Sequence, residues 1–302
     1  MAVIKKSKWL ILGGGGQLGT AMSQYLESVD LDFSSLKHSE LDITSATLVE
    51  KTLKELSPRV VFNAAAWTDV DKAETCEQEA RLVNAIGPKI LARACNKMGI
   101  KLIQISTDYV FSGVSAQPWD EDQKPAPISA YGRTKAEGDA QALIENPKNT
   151  YIVRTSWLYS PWGKNFVKTM VKLALGKDEK IEVVNDQKGQ PTSAIHLARQ
   201  IHMLVSHDAT PGIYHGTNSG ETTWFHLARR VFEILGQDPE RIFPISSLTT
   251  SRKARRPSYS VLGHEKWLKE GLQPMNKWEE DLEYIVPEVL KVLIEIEGFD
   301  GN

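Results

Sequence analysis

The stretch Trp9-Leu10-Ile11-Leu12-Gly13-Gly14-Gly15-Gly16-Gln17-Leu18-Gly19-Thr20 decides the fold. Its first four residues read as a short buried strand, and Leu18, Ala21, Met22, Tyr25 and Leu26 then recur at helical spacing. The intervening glycines adopt backbone angles that a side chain forbids and let a phosphate approach the main chain closely. The helix that follows directs its free N–H groups and positive dipole end at that phosphate. Strand, glycine turn and helix in this order form the context in which G-x-x-G-x-x-G is a dinucleotide fingerprint. The reading places a dinucleotide against Gly13, Gly16, Gln17, Leu18 and Gly19; a glycine turn without a ligand is the plain alternative.

Outward from this stretch, strands and helices alternate. Strands are expected at 31–36, 60–62, 100–105 and 151–155, and helices at 48–56, at 80–98 and around Tyr131. Such alternation predicts an α/β fold: a Rossmann-like, doubly wound parallel sheet with its ligand crevice at the strand C-terminal ends. Beyond about residue 158 the pattern loosens, with helices expected at 221–235 and 278–294. The expected division is a dinucleotide-binding domain over 1–158 and a smaller, partly intertwined substrate lobe over 159–302.

Tyr131-Gly-Arg-Thr-Lys135 sets a phenol and an ammonium four residues apart, on one face if the segment is helical. Ser129 is a suitable cap, and Pro125 and Pro127 punctuate the loop before it. Upstream, Ile103-Gln-Ile-Ser106-Thr107-Asp108 reads as an apolar strand ending in hydroxyls. A phenol titrates near 10, so it relays protons at neutral pH only where something stabilises its anion. On this reading Lys135 does so, while Thr107 orients a reacting carbonyl. An ordinary exposed Tyr/Lys pair is the competing view.

These residues resemble the extended short-chain dehydrogenase/reductase superfamily, and further stretches narrow the likeness. Asn63-Ala-Ala-Ala-Trp-Thr-Asp-Val-Asp-Lys-Ala-Glu74, Ser106-Thr-Asp-Tyr-Val-Phe111, Arg154-Thr-Ser-Trp157, Asn185-Asp-Gln-Lys-Gly-Gln-Pro-Thr192 and Arg255-Arg-Pro-Ser-Tyr-Ser260 all resemble the dTDP-4-dehydrorhamnose reductase family. The resemblance implies NAD(P)H-dependent reduction of the 4-keto group of dTDP-4-dehydro-L-rhamnose to dTDP-L-rhamnose, with Thr107, Tyr131 and Lys135 catalytic and with Tyr131 and Lys135 also against the cofactor, Lys135 on the nicotinamide ribose. It further implies that Asp42 and Ile43 line the adenine, that Ala66, Trp67 and Thr68 line the ribose, and that Ile105 lines the nicotinamide. Substrate contacts are implied for Val70, Thr107, Asp108, Tyr109, Trp157 and, in the basic run 252–256, Arg256, whose guanidinium suits a diphosphate. Parts of 180–220 are expected to return to the first domain. One departure concerns Mg²⁺, which some members hold between subunits with a carboxylate on the first helix. Ala21 stands at that position, which speaks against the metal and its dimer and favours a monomer or weak homodimer.

Cofactor choice rests on the end of the second strand, where an acidic residue favours NAD and a cation favours the 2′-phosphate of NADP. Lys37 stands there in Ser34-Ser-Leu-Lys-His-Ser39, so NADPH is expected and NADH is the alternative. Asp32 takes over the position if the strand is shorter, and Lys37 and His38 can equally be read as solvated loop residues. Two other functions share these motifs: a nucleotide-sugar epimerase or dehydratase that recycles tightly held NAD, and a non-catalytic NADP-binding regulatory subunit. Intact Thr107, Tyr131 and Lys135 argue against the second.

Composition agrees. The chain has 302 residues, 41% hydrophobic and 25% charged, enough for an α/β core plus a lobe. A net charge of −2 gives no reason to expect a nucleic-acid or membrane surface. Lys5-Lys-Ser-Lys8 runs into only four apolar residues before the glycines, so no signal-peptide core is expected and the setting reads as cytoplasmic. Cys76 and Cys95 are too few for a disulfide framework, and the histidines show no ligand-like clustering and read as surface or capping residues, so no metal is expected.

Overall fold

The computed structural model describes residues 9–176 and 179–298; the Lys5–Lys8 run lies outside them. Its centre is a parallel sheet of β1 (Trp9–Leu12), β2 (Phe33–Leu36), β3 (Val60–Asn63), β4 (Lys101–Thr107), β5 (Thr150–Thr155) and β6 (Gly212–His215). The spatial order is β2-β1-β3-β4-β5-β6, and every neighbouring pair runs parallel. The winding reverses between β1 and β3, which puts the ligand crevice beyond the C-terminal ends of those strands. The doubly wound α/β expectation therefore holds.

Alternate strand residues feed two cores, as the period-2 geometry of a strand demands. Trp9, Ile11, Phe62 and Val153 face the helices Gln17–Ser28 and Ala194–Ser206, meeting Met22, Leu26, Leu197 and Ile201. Leu10, Leu12, Val61, Leu102 and Ile152 face the helices Ala46–Leu56 and Gly87–Met98, meeting Val49, Leu53, Leu91 and Cys95. A third core belongs to the C-terminal half. There the helices Phe166–Leu175, Trp224–Ile234 and Trp278–Glu295 close on one another, with the parallel strand pair Ile181–Val184 and Ile242–Ile245 beside them.

Three elements differ from expectation. The strand expected at 31–36 is only Phe33–Leu36, a half-buried edge strand. The strand given as 100–105 runs over Lys101–Thr107, so the hydroxyl sits on the last strand residue, in line with the reading of 103–108 as a strand ending in hydroxyls. The helix expected over 80–98 is a chain of three pieces: Glu77–Arg81, a π-turn at Leu82–Ile86, and Gly87–Met98. The histidines also depart from the surface reading, since His215 is fully buried with Nδ1 3.0 Å from the Gly263 carbonyl. His196 lies 2.6 Å from the buried carboxylate of Asp281.

Candidate active site

The glycine turn joins β1 to the first helix with little room to spare. Gly13 has φ +77°, and a β-carbon there would fall 2.7 Å from the Ala65 nitrogen on the neighbouring strand end. Gly14 N–H donates to the Leu36 carbonyl (3.0 Å) and Gly16 N–H to the Gly13 carbonyl (2.9 Å), which closes the turn. Gly16 opens the helix Gln17–Ser28 with no side chain capping it, so the first N–H groups face the crevice uncommitted. Gly19 seats the helix on the Gly13 carbonyl. Leu18 points into the core, leaving only its backbone for the crevice. The Gln17 side-chain carbonyl accepts from Ser160 Oγ and Asn165 Nδ2, both at 3.0 Å, and so ties the turn to the following domain segment.

Lys37 follows β2 directly, is exposed, and runs its stem beside Gly15 at the glycine turn. Asp42 accepts from Thr44 N–H (2.9 Å) and Thr44 Oγ1 (2.8 Å), bonds that hold its carboxyl below the usual carboxylate range. Ile43 is buried beside it, next to Gly87.

Thr107 ends β4 at the same sheet edge. Its hydroxyl accepts from Tyr109 N–H (3.2 Å) and donates to Asp108 Oδ1 (3.0 Å). The helix Ala130–Glu145 starts on a Ser129 cap that accepts from Gly132 N–H (3.1 Å), while Glu74 takes the Ala130 N–H (2.8 Å). Gly132 crosses so close to Tyr109 that a β-carbon would sit 2.2 Å from its carbonyl oxygen. This contact brings Tyr131 against the β4 end, near Thr107. One turn on, Lys135 is 3% exposed and its ammonium donates to the Ile105 carbonyl at 2.5 Å.

Burial governs the titration of these groups. It pushes the Tyr131 phenol up, with Thr107 opposing and Asp108, Tyr109 and Asp139 adding to the rise. It brings Lys135 down to about 8 against the pull of Asp139, and lifts Asp108 to about 6. The expectation that Lys135 depresses the Tyr131 phenol is thus corrected: desolvation outweighs any such effect in the free protein. Asp139, one turn beyond Lys135, accepts from Ser106 Oγ at 2.8 Å and lies 3.4 Å from Arg154 Nε, all three buried.

Asn84 was missed by the sequence reading. Its amide brackets the backbone of Trp67, accepting from Trp67 N–H (2.9 Å) and donating to the Trp67 carbonyl (3.0 Å). The same nitrogen reaches Thr134 Oγ1 at 3.2 Å, between Tyr131 and Lys135. The π-turn at Leu82–Ile86 carries Asn84 into this position, and such turns recur at functional sites. Asn84 therefore couples the loop holding Ala66, Trp67 and Thr68 to the helix holding the phenol and ammonium. Trp67 and Tyr131 also pack on one small cluster of Ala73, Ala80 and Ala130.

Toward the C-terminal half, Val70 opens the short helix Val70–Ala73 behind its Asp69 cap. Tyr109 stands edge-on to Tyr131 with centroids 5.7 Å apart, its phenol pushed up to about 12 by burial. Trp157 has φ +43°, a left-handed conformation that a bulky residue adopts only when its surroundings enforce it. Its indole stacks on Trp224 at 3.7 Å with 14° between planes. Arg256 is not free: Nη2 lies 2.9 Å from Asp71 Oδ2 and Nη1 3.4 Å from Oδ1. Gln17, Asp42, Trp67, Thr107, Asp108, Lys135 and Arg256 are thus expected site residues whose side chains are already bonded within the chain. The turn, the loop after β3, Thr107, Tyr131 and Lys135 meet at one edge of the sheet. Ala21 is buried in the core, and among the described residues no cluster of metal-ligating side chains occurs.

A doubly wound sheet, a glycine turn with an open helix N-terminus and a hydroxyl/phenol/ammonium set together define a nicotinamide-nucleotide oxidoreductase of the short-chain dehydrogenase/reductase class. Residues 7–291 match the family described as RmlD substrate binding domain. A dTDP-4-dehydrorhamnose reductase of Streptomyces griseus is 42% identical over 92% of this chain and 92% of its own length. A dTDP-4-keto-6-deoxy-D-glucose reductase of Streptomyces niveus is 41% identical over 93% of this chain and 96% of its own. The crystal structure of a Bacillus anthracis dTDP-4-dehydrorhamnose reductase in complex with NADP superposes with a TM-score of 0.90 at 37% identity, covering 94% of this chain and 100% of that one. The chain belongs to the dTDP-4-dehydrorhamnose reductase family.

Proposed function

We propose that this chain reduces the 4-keto group of dTDP-4-dehydro-L-rhamnose to dTDP-L-rhamnose with NADPH. The observation that carries the reading is the meeting of Thr107, Tyr131 and Lys135 beside a glycine turn too tight for side chains. That turn fits the cofactor: its uncommitted N–H groups at Gln17 and Leu18 suit the diphosphate, Asp42 and Ile43 the adenine side, and Ala66, Trp67 and Thr68 the ribose. NADPH, when bound, supplies the hydride. Tyr131 supplies the proton, and burial keeps its phenol protonated and ready to donate at neutral pH. Thr107 holds the carbonyl oxygen in line with that phenol. Lys135, fixed on the Ile105 carbonyl, places positive charge one helical turn from the phenolate that donation leaves behind. Val70, Asp108, Tyr109, Trp157 and the Arg256 segment form the substrate side.

In this reading residues 1–158 carry the cofactor and most of 159–302 the substrate lobe. Ala21 offers no ligand for Mg²⁺. With that metal bridge missing, the reading keeps a monomer or weak homodimer. The substrate and cofactor class supports a cytoplasmic setting. Among the described residues no helix is long and apolar enough to cross a membrane.

The test is absorbance at the reduced nicotinamide band with dTDP-4-keto-6-deoxy-L-mannose and a panel of other keto-sugars. Stoichiometric NADPH consumption with the first supports the reading. Catalysis without net consumption, by protein that purifies with bound NAD, would replace it with an epimerase or dehydratase.

Cofactor selectivity gives a second measurement. One charge-assisted contact from Lys37 to the 2′-phosphate is worth roughly ten-fold in affinity. Lys37→Asp is expected to weaken NADPH by about that factor while leaving NADH unchanged or improved, and added salt should shrink the difference. Equal shifts for both cofactors would move the selecting role from Lys37 to Asp32.

A further inference from the structure

The helix Ala130–Glu145 is fastened to β4 at two neighbouring points, by side chains of opposite charge. Lys135 donates to the Ile105 carbonyl at 2.5 Å, and Asp139 accepts from Ser106 Oγ, on the next strand residue, at 2.8 Å. A spacing of four puts the two side chains on one helix face, with β-carbons roughly 5–6 Å apart. Each residue is 3% exposed. The ion pair of Asp139 is with Arg154, so its charge reaches the Lys135 ammonium through space.

Asp139 is itself clamped. Arg154, the cross-strand neighbour of Ser106, brings Nε to 3.4 Å from the Oδ2 that Ser106 also bonds. The Arg154 guanidinium is buried over the Phe111 ring, 5.1 Å from its centroid. His215, beside Arg154 on β6, is pushed well below its usual range by burial and stays neutral. Ser106 and Arg154 thus share one carboxylate oxygen, while Oδ1 of Asp139 and Nη1 of Arg154 are buried without a hydrogen-bond partner. A half-satisfied buried ion pair is costly, and apolar packing is often the more stable filling of such a site. The unshared oxygen keeps negative charge beside Lys135.

Other charges around this helix are committed elsewhere. Asp108, at the end of β4, accepts from Thr107, and Asp71 on the helix Val70–Ala73 pairs with Arg256. Glu74 takes the Ala130 N–H. Glu77, Arg81 and Arg93 pair with Arg133, Glu137 and Glu145, and Lys89 also reaches Glu145, all on more exposed parts of the helix surface. Burial keeps the Tyr109 and Tyr131 phenols protonated. Burial also brings Lys135 down to about 8, and Asp139 is the charge that opposes the fall.

We infer that Asp139 is the positioning residue for Lys135: clamped by Ser106 and Arg154, it fixes the helix face on β4 and supplies the negative charge that keeps the buried ammonium protonated. The inference rests on the role given to Lys135 above. Asp139 acts through that ammonium and not on the reacting atoms.

The experiment follows the titration of Lys135 in the free chain by heteronuclear NMR of the lysine side chains, its signal assigned with Lys135→Met. Asp139→Asn is expected to lower the titration point by about one pH unit or more, the effect of removing a nearby opposite charge. Asp139→Glu, which keeps the charge, should stay close to the wild-type value. NADPH affinity, read by nicotinamide fluorescence, should fall roughly three-fold in Asp139→Asn at the wild-type titration point, because fewer molecules carry the charged lysine. That gap should close as pH falls, whereas a purely structural loss would weaken binding at every pH. Asp139→Asn strands a buried guanidinium, so the neutral double variant Asp139→Asn/Arg154→Gln is measured beside it. Its shift should run in the same direction by less, since the repulsion from Arg154 goes too. A titration point that stays at the wild-type value once the Asp139 charge is removed overturns the inference, as does one that Asp139→Glu moves as far as Asp139→Asn. A wild-type chain that binds no NADPH overturns the cofactor reading, while the lysine titration still decides the role of Asp139.

Discussion

Tyr131→Phe is expected to lower kcat by at least ~10²-fold, the typical cost of losing a general acid, with the Kd for NADPH almost unchanged. The substitution removes one oxygen and leaves the ring, so packing on Ala73, Ala80 and Ala130 and the edge-on contact with Tyr109 are retained. What is lost is the proton that the developing alkoxide needs. Steady-state turnover and a separate cofactor titration by nicotinamide fluorescence distinguish chemistry from binding. Near-normal turnover in the Phe variant would remove Tyr131 from the mechanism and shift attention to Asp108, whose carboxyl accepts from Thr107.

Lys135→Met should fail in two ways at once. The ammonium is proposed both to hold the nicotinamide ribose and to stabilise the phenolate, so Kd for NADPH should rise and kcat should fall, each by roughly ten-fold or more. Methionine keeps an apolar stem of similar length in the buried channel, so folding should survive and the Ile105 contact alone disappears. Loss of only one function would mean that two residues' roles have been merged. The pH profile gives an independent readout. Lys135 is brought down to about 8 by burial, so its charge is lost as pH rises through that value and kcat/KM should fall on the alkaline side. Asp108 is raised to about 6, so below that pH it is protonated and a poorer acceptor for substrate hydroxyls, and kcat/KM should fall on the acid side too. In Lys135→Met the acid limb should persist while the limb near 8 vanishes.

The glycine turn and the Tyr131/Lys135 pair were legible because their chemistry is local: spacing of three or four residues fixes a turn or a helix face. The sheet was legible for a related reason, since each buried strand is a short apolar run with its own punctuation. The weak point was β2, whose Phe-Ser-Ser-Leu sequence is an edge strand with Ser35 turned toward the glycine turn, and so lacks the apolar run. The π-turn escaped because over five residues its period cannot be told from that of an α-helix, and with it went Asn84. The rise of the Tyr131 phenol escaped because burial is a property of the packed site and leaves no trace in the spacing of two side chains. Asp71 and Arg256 are 185 residues apart, and nothing in a basic run announces the carboxylate that will meet it. Local patterns thus named the residues, while desolvation and long-range pairing set how they behave.

The stack of Trp157 on Trp224 gives the molecule a built-in optical gauge. The chain holds eight tryptophans, and among the described residues these two alone form a stacked tryptophan pair, 3.7 Å apart and 14° from parallel. Indoles this close couple their excited states, so the pair contributes to near-ultraviolet circular dichroism in proportion to how well its geometry is kept. One ring follows β5 in the central sheet and the other opens a helix of the C-terminal core. The signal therefore tracks the alignment of the two halves of the molecule, without a label, while ligands are titrated in.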